Sequence, residues 1–172
     1  MIKFRFILLL LIVSVAGCSH KLQYQSYYNN RNEKVLKGFV NRSVIEKDTS
    51  YKWFDENMKW GKLNEQAVET FRTKKNDFTM VVFAGTWCED TQTLLPVFYR
   101  LVAESGYSEK NITLYCVDRD KQTTKELAQK FNPTHTPTFI VLHNNKEIGR
   151  VTEYGKYGAI DKELGEIVAA IK

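Results

Sequence analysis

The sequence predicts an α/β domain in which a central sheet is flanked by helices. Three observations carry that reading. First, Phe78 to Ala84 (FTMVVFA) is apolar except for Thr79, the mark of a strand buried on both faces. Second, the short apolar runs Ile112 to Val117 and Phe139 to His143 follow it, separated by segments with helical spacing. Third, Asn144-Asn145 divides the last run from Glu147 to Thr152, the pattern of a hairpin. From residue 78 onward the order is β-α-β-α-β-β-α.

At the start of the chain, Lys3 and Arg5 precede an 11-residue, mostly apolar run, Phe6 to Ala16 (FILLLLIVSVA). A spanning helix needs about 20 apolar residues, so this length and these flanks suit the apolar part of a signal peptide. The run leads into Val15-Ala16-Gly17-Cys18. Small residues before a cysteine resemble the bacterial lipobox. That resemblance implies cleavage before Cys18 and a diacylglycerol thioether on it; the alternative is an ordinary signal or anchor with an incidental cysteine. Two or more acyl chains hold a protein at a membrane where one does not. Residues 1–17 are then a lipoprotein signal peptide, and Cys18 takes no part in redox work. The expected location is the bacterial cell envelope, periplasm-facing in a Gram-negative organism, where disulfide chemistry is open to the two remaining thiols.

Residues 18–34 are polar, rich in Asn and Tyr and without a period, and read as a lipid-attached flexible tether. Such a coil reaches on the order of 20 Å. Residues 35–65 read as an N-terminal α/β extension. In it, Val35 to Val40 is a short strand, and Ser50 caps a helix with Tyr51, Trp53, Phe54 and Met58 inward. A helix beginning at Asn64 or Glu65 turns Ala67, Val68 and Phe71 to one face and ends in the basic Arg72-Thr73-Lys74-Lys75, which complements its dipole. After the first buried strand comes a helix over 89–105, with Leu94, Leu95, Phe98, Leu101 and Val102 at helical spacing. Pro96 inside it predicts a kink or a displaced start. Thr123 to Phe131 and Ile160 to Ile171 are the remaining helices.

Composition narrows the function. The chain of 172 residues is 43% hydrophobic and 13% aromatic, which supports a sizeable core and excludes wholesale disorder. The formal charge of +5 is ordinary, and no basic stripe points to nucleic acid. Asn41-Arg42-Ser43 and Asn111-Ile112-Thr113 match the glycosylation sequon, a chance match in a bacterial lipoprotein.

The element order, with Trp87-Cys88 at the first strand-to-helix turn and His135-Thr136-Pro137-Thr138 before the third strand, resembles the thioredoxin family over about residues 66–172. The stretch Gly85-Thr86-Trp87-Cys88-Glu89-Asp90-Thr91 is most similar to envelope lipoproteins of that family. Their motif reads Trp-Cys-x-Asp-Ser/Thr in place of Trp-Cys-x-x-Cys. The resemblance implies a thioredoxin fold with a central mixed sheet flanked by helices. It implies that Cys88 is the nucleophile and that Pro137 is a cis-proline whose loop faces the sulfur. It further implies that Trp87 shields the site and that Thr136 and Thr138 flank the place of a client strand. Three positions depart from thioredoxins proper. Thr91 replaces the second cysteine, Val82 stands where an aspartate is buried, and Leu114 stands where a lysine often accompanies it. All three concern release of a mixed disulfide by a second thiol; the residues for first attack are present.

The chemistry of those residues is read directly. A cysteine at a helix N-terminus meets the positive end of the helix dipole, which favours the thiolate. Thr91, three residues on, is placed to hydrogen-bond the sulfur with the same effect. Glu89 and Asp90 oppose it. His135 either lies near the sulfur as a cation or base or lines a surface loop. Cys116 ends a strand expected beside the one that feeds Cys88. It is either a buried, inert thiol or a partner for Cys88, which requires Cα atoms within about 7 Å. Cys88, Cys116 and His135 lack the spacing of a metal site, so no metal and no cofactor is expected.

A monothiol forms a mixed disulfide but needs an external thiol to release it. The expected function is therefore a membrane-anchored thioredoxin-like protein with one active thiol, acting on disulfides or oxidised thiols of envelope proteins as a monothiol thiol-disulfide oxidoreductase. The expected partners are envelope client proteins, an external thiol reductant and the membrane through Cys18, with the protein a monomer. The alternative is a non-enzymatic binding module that uses the cis-proline groove. A peroxidase ranks behind both, because peroxidases of this fold usually place Thr before Cys at the helix start.

Overall fold

The computed structural model describes residues 23–124 and 127–172. The signal segment and Cys18 lie outside the described residues. Six strands form one sheet in the order β1-β2-β4-β3-β5-β6. β3 (Thr79–Ala84) is central, parallel to β4 (Ile112–Cys116) and antiparallel to β5 (Thr138–His143). β6 (Lys146–Thr152) closes one side as the hairpin partner of β5, through Asn144 and Asn145, both in the left-handed region that a tight turn requires. The sheet is mixed and flanked by helices, the thioredoxin fold.

Period-two alternation divides the sheet's side chains between two layers. Met80, Val82, Ala84, Leu114, Cys116, Phe139 and Val141 point into the larger core. Three helices cover it: α3 (Glu65–Thr73), α4 (Glu89–Ser105) and α6 (Ile160–Ala169). Val81, Phe83, Ile140 and Leu142 point the other way, where Val117, Tyr115 and Phe131 complete a smaller core. Phe131 ends α5 (Leu127–Phe131). This two-sided burial is why β3 reads as an unbroken apolar run.

Helix ends follow local chemistry. Asn64 caps α3 by accepting Ala67 N–H at 3.0 Å. α4 ends at Gly106 in the left-handed region, where Tyr107 N–H reaches Val102 C=O at 3.1 Å. Pro96 does not displace the start of α4, which runs unbroken from Glu89.

The N-terminal part differs from expectation in two places. Residues 18–34 are not a tether throughout: β1 (Gln23–Tyr28) pairs antiparallel with β2 (Lys34–Val40) in continuous register from Gln23↔Phe39 to Tyr28↔Lys34. All six residues of β1 are exposed, so no burial pattern marks it. The turn is built by Asn29, whose side chain accepts the N–H groups of Arg31 and Glu33. The helix expected from Ser50 is a 3-10 turn (Thr49–Tyr51) capped by Asp48, followed by α2 (Trp53–Asn57). Before it, Asn41 caps a short α1 (Arg42–Glu46), accepting Val44 N–H at 3.3 Å. The expected helix over 123–131 is described as helix only at α5.

Candidate functional site

Cys88 is the N-cap residue of α4, immediately after the strand-to-helix turn that follows β3. Its N–H is bonded to Gly85 C=O at 2.9 Å, which closes the turn. The sulfur is half-buried and points across to the loop before β5, where the thiol donates to Thr136 C=O at 3.1 Å. The Thr136–Pro137 bond is cis. The loop is fixed from both sides. Thr138 Oγ1 donates back to His135 C=O at 2.7 Å, and Pro137 C=O accepts Glu153 N–H at 2.8 Å. Cys88 therefore meets the Thr136–Pro137 pair, which begins 48 residues further along the chain.

Other expected site residues occupy different roles in the geometry. Thr91 is fully buried, and its hydroxyl accepts Gly85 N–H at 3.2 Å instead of bonding the sulfur. It holds the turn rather than the thiolate. Thr138 is buried and its hydroxyl serves the loop, not a groove. His135 is exposed, and the hydrogen bond of its Nδ1 is to the neighbouring Thr134 Oγ1 at 3.0 Å; no described hydrogen bond joins it to Cys88. Glu89 and Asp90 lie in the first turn of α4.

Trp87 is pinned at its edge, with the indole N–H donating to Val117 C=O at 2.9 Å. The Arg119 guanidinium lies 4.6 Å from the ring centroid and the Lys121 ammonium 5.5 Å. Arg119 also pairs with Glu33 at 2.8 Å, and Lys37 pairs with Asp118. The Trp87 side of the site is thus tied to the β1–β2 hairpin. No cation of this group was singled out in the sequence, because its pairing with Trp87 depends on where the loop after β4 turns.

Cys116 is fully buried and unpaired, level with Ala84 in the sheet register. Burial pushes its thiol up to about 12. It is neutral and inaccessible at physiological pH. Among the described residues no group of three or more His, Cys, Asp or Glu side chains is arranged to hold a metal ion. What the arrangement can do is nucleophilic sulfur chemistry at Cys88 beside the backbone carbonyl of Thr136, with no second accessible thiol among the described residues.

Comparison with known proteins agrees with this geometry at the level of family. The Thioredoxin family model matches residues 60–166. A thioredoxin H-type from Picea mariana is 28% identical over 112 residues, covering 65% of this chain and 77% of that protein. A protein disulfide-isomerase from Datisca glomerata is 30% identical over 80 residues, covering 46% of this chain and 15% of that larger protein. Among solved structures, a protein of unknown function from Pseudomonas aeruginosa superposes with a TM-score of 0.54 at 14% identity. The match covers 76% of this chain and 90% of that one, a likeness of fold.

Proposed function

The chain belongs to the thioredoxin family of redox proteins, and on that premise we propose that it is a lipid-anchored envelope protein that works through the single thiol of Cys88. The observation that supports this is the pairing of an attack site with a missing release site. Cys88 caps α4 with its sulfur at the cis-proline loop, while Thr91 sits where a second thiol would be, buried and bonded to Gly85.

The chemistry balances without a cofactor. The Cys88 thiolate attacks one sulfur of a client disulfide; the new S–S bond forms as the old one breaks, and the other client sulfur leaves as a thiolate. An external thiolate then attacks the client sulfur of the mixed disulfide; a disulfide between the client and the external thiol forms as the Cys88–client bond breaks, and Cys88 leaves as the thiolate. Cys116 cannot do so while it is buried and protonated. Pro137 and the Thr136 backbone position the client strand, and Cys18 carries the lipid that holds the protein at the membrane.

The test is client capture on non-reducing gels by the full-length protein in its membrane. Wild type forms adducts that thiol reductant dissolves, and Cys88→Ser forms none. A Cys88→Ser protein that keeps its partners by non-covalent pull-down, with no adducts in wild type, would make the protein a binding module instead. The anchor is tested by acyl labelling, which Cys18→Ala abolishes.

A further inference from the structure

Two residues before Cys88, Thr86 is 3% exposed and bonded on both sides of its hydroxyl. Thr86 Oγ1 accepts Leu36 N–H at 3.2 Å and donates to Lys34 C=O at 3.1 Å. The described ladder between β2 and β4 ends at Gly38↔Cys116. Beyond that point a side chain from the active-site turn takes up one N–H and one C=O of β2. The same Lys34 carbonyl also accepts the Tyr51 hydroxyl at 3.2 Å.

A second tie lies one helical turn past Cys88. Gln92 Nε2 donates to Thr86 C=O at 3.1 Å, and Gln92 C=O accepts Asn57 Nδ2 at 3.0 Å. The nucleophile therefore sits between two residues, 86 and 92, that are bonded to each other. Both are also bonded to the segment before residue 60, on β2 and α2. Nothing in that segment touches the sulfur itself through a described hydrogen bond. The connection from Thr86 to Cys88 is the backbone of residues 86 to 88.

We propose that Thr86 is a positioning residue for Cys88: by clamping the turn to β2 it aims the sulfur at the Thr136 carbonyl and the client groove. The proposal rests on the reading of Cys88 as a nucleophile. It gives the N-terminal extension a part in the reaction with peptide disulfides. A small disulfide approaches an exposed thiol from many directions and needs little aim. A peptide that must lie along the cis-proline loop needs the sulfur in one place, where misplacement by about 1 Å can cost up to a hundredfold.

The experiment compares two disulfides with the same leaving group on the full-length protein in detergent. One is a cysteine peptide activated as its mixed disulfide with 5-thio-2-nitrobenzoate; the other is 5,5′-dithiobis(2-nitrobenzoate). Attack by Cys88 on either releases the coloured thiolate, and the rate of Cys88→Ser is subtracted. Thr86→Val is expected to lower the peptide rate relative to the small-disulfide rate about tenfold. Thr86→Ser, which keeps the hydroxyl, restores the wild-type ratio. An unchanged ratio in a folded Thr86→Val protein overturns the proposal. If Thr86→Val does not fold, Gln92→Met decides: it removes the donor to Thr86 C=O, and a lowered ratio supports the clamp while an unchanged one overturns it. A wild-type protein that attacks neither disulfide overturns the functional reading and this inference together, whereas a loss of aim seen only in the variants separates the two.

Discussion

Asn57 Nδ2 lies 3.0 Å from the carbonyl oxygen of Gln92, the carbonyl that Pro96 leaves without its helical partner. A proline four residues on has no N–H to give, and in most helices this breaks or kinks the turn. Here the donor comes from the C-terminal end of α2, in the extension. The helix that Cys88 begins runs through Pro96 to Ser105 with that carbonyl satisfied by a side chain from elsewhere in the chain.

That relationship makes Asn57 and Pro96 energetically coupled. Asn57→Ala is expected to destabilise the protein by about 1 kcal/mol, the usual worth of a partly buried hydrogen bond. In a Pro96→Ala background residue 96 regains its N–H, and the same substitution costs less. A double-mutant cycle by urea unfolding measures the difference. Equal costs in both backgrounds would remove the link between Asn57 and the proline.

Much of the fold was legible because its central strands are buried on both faces and its long helix is amphipathic; Glu89 and Ser105 bound α4 as the spacing indicated. β1 was not legible as a strand. It is exposed on both faces, so no apolar period exists to be read, and only Tyr24, Tyr27 and Tyr28 hinted at strand preference. α1, with five residues, is too short for a period, and its cap Asn41 is equally part of a sequon; α2 falls within the helix that the spacing of Tyr51, Phe54 and Met58 indicates, but it begins only at Trp53. At the site, Cys88 and Pro137 could be placed by motif. Thr86, Gln92 and Asn57 could not, since their partners lie 6 to 52 residues away and only the fold brings them together.

Restoring a second thiol should restore self-release. Thr91 lies on the first turn of α4, three residues after the N-cap Cys88, the spacing of the two cysteines in a Trp-Cys-x-x-Cys motif. Thr91→Cys is expected to form an intramolecular disulfide with Cys88 on oxidation and to release mixed disulfides without added thiol. The loss of the hydroxyl's bond with Gly85 N–H costs about 1 kcal/mol in stability. Thiol counting before and after oxidation checks the first outcome, and denaturant unfolding the second.

Cys116 sets an alkaline limit on stability. Burial raises its folded value to about 12 from the ordinary 9.0, so the native state holds the proton longer than the unfolded chain does. The stabilisation is complete below pH 9 and is lost as pH rises from 9 to 12, by about 1.4 kcal/mol per unit. Tyr51, Tyr99 and Tyr107 are raised by burial as well, but from an ordinary value of 10.0, so they add to the slope only at higher pH. Between pH 9 and 10, Cys116→Ala should show a flatter fall in unfolding free energy than wild type. Parallel curves would contradict the burial of the thiol.

The single-thiol chemistry of Cys88 is tested most directly by following one mixed disulfide over time. The full-length protein is loaded with an activated cysteine peptide, excess peptide is removed, and the adduct is followed by mass spectrometry with and without added glutathione. The expected result is one peptide on Cys88 that persists until glutathione is added and then leaves at a rate proportional to its concentration. Spontaneous release with formation of a Cys88–Cys116 disulfide, or no adduct on Cys88 at all, would contradict it.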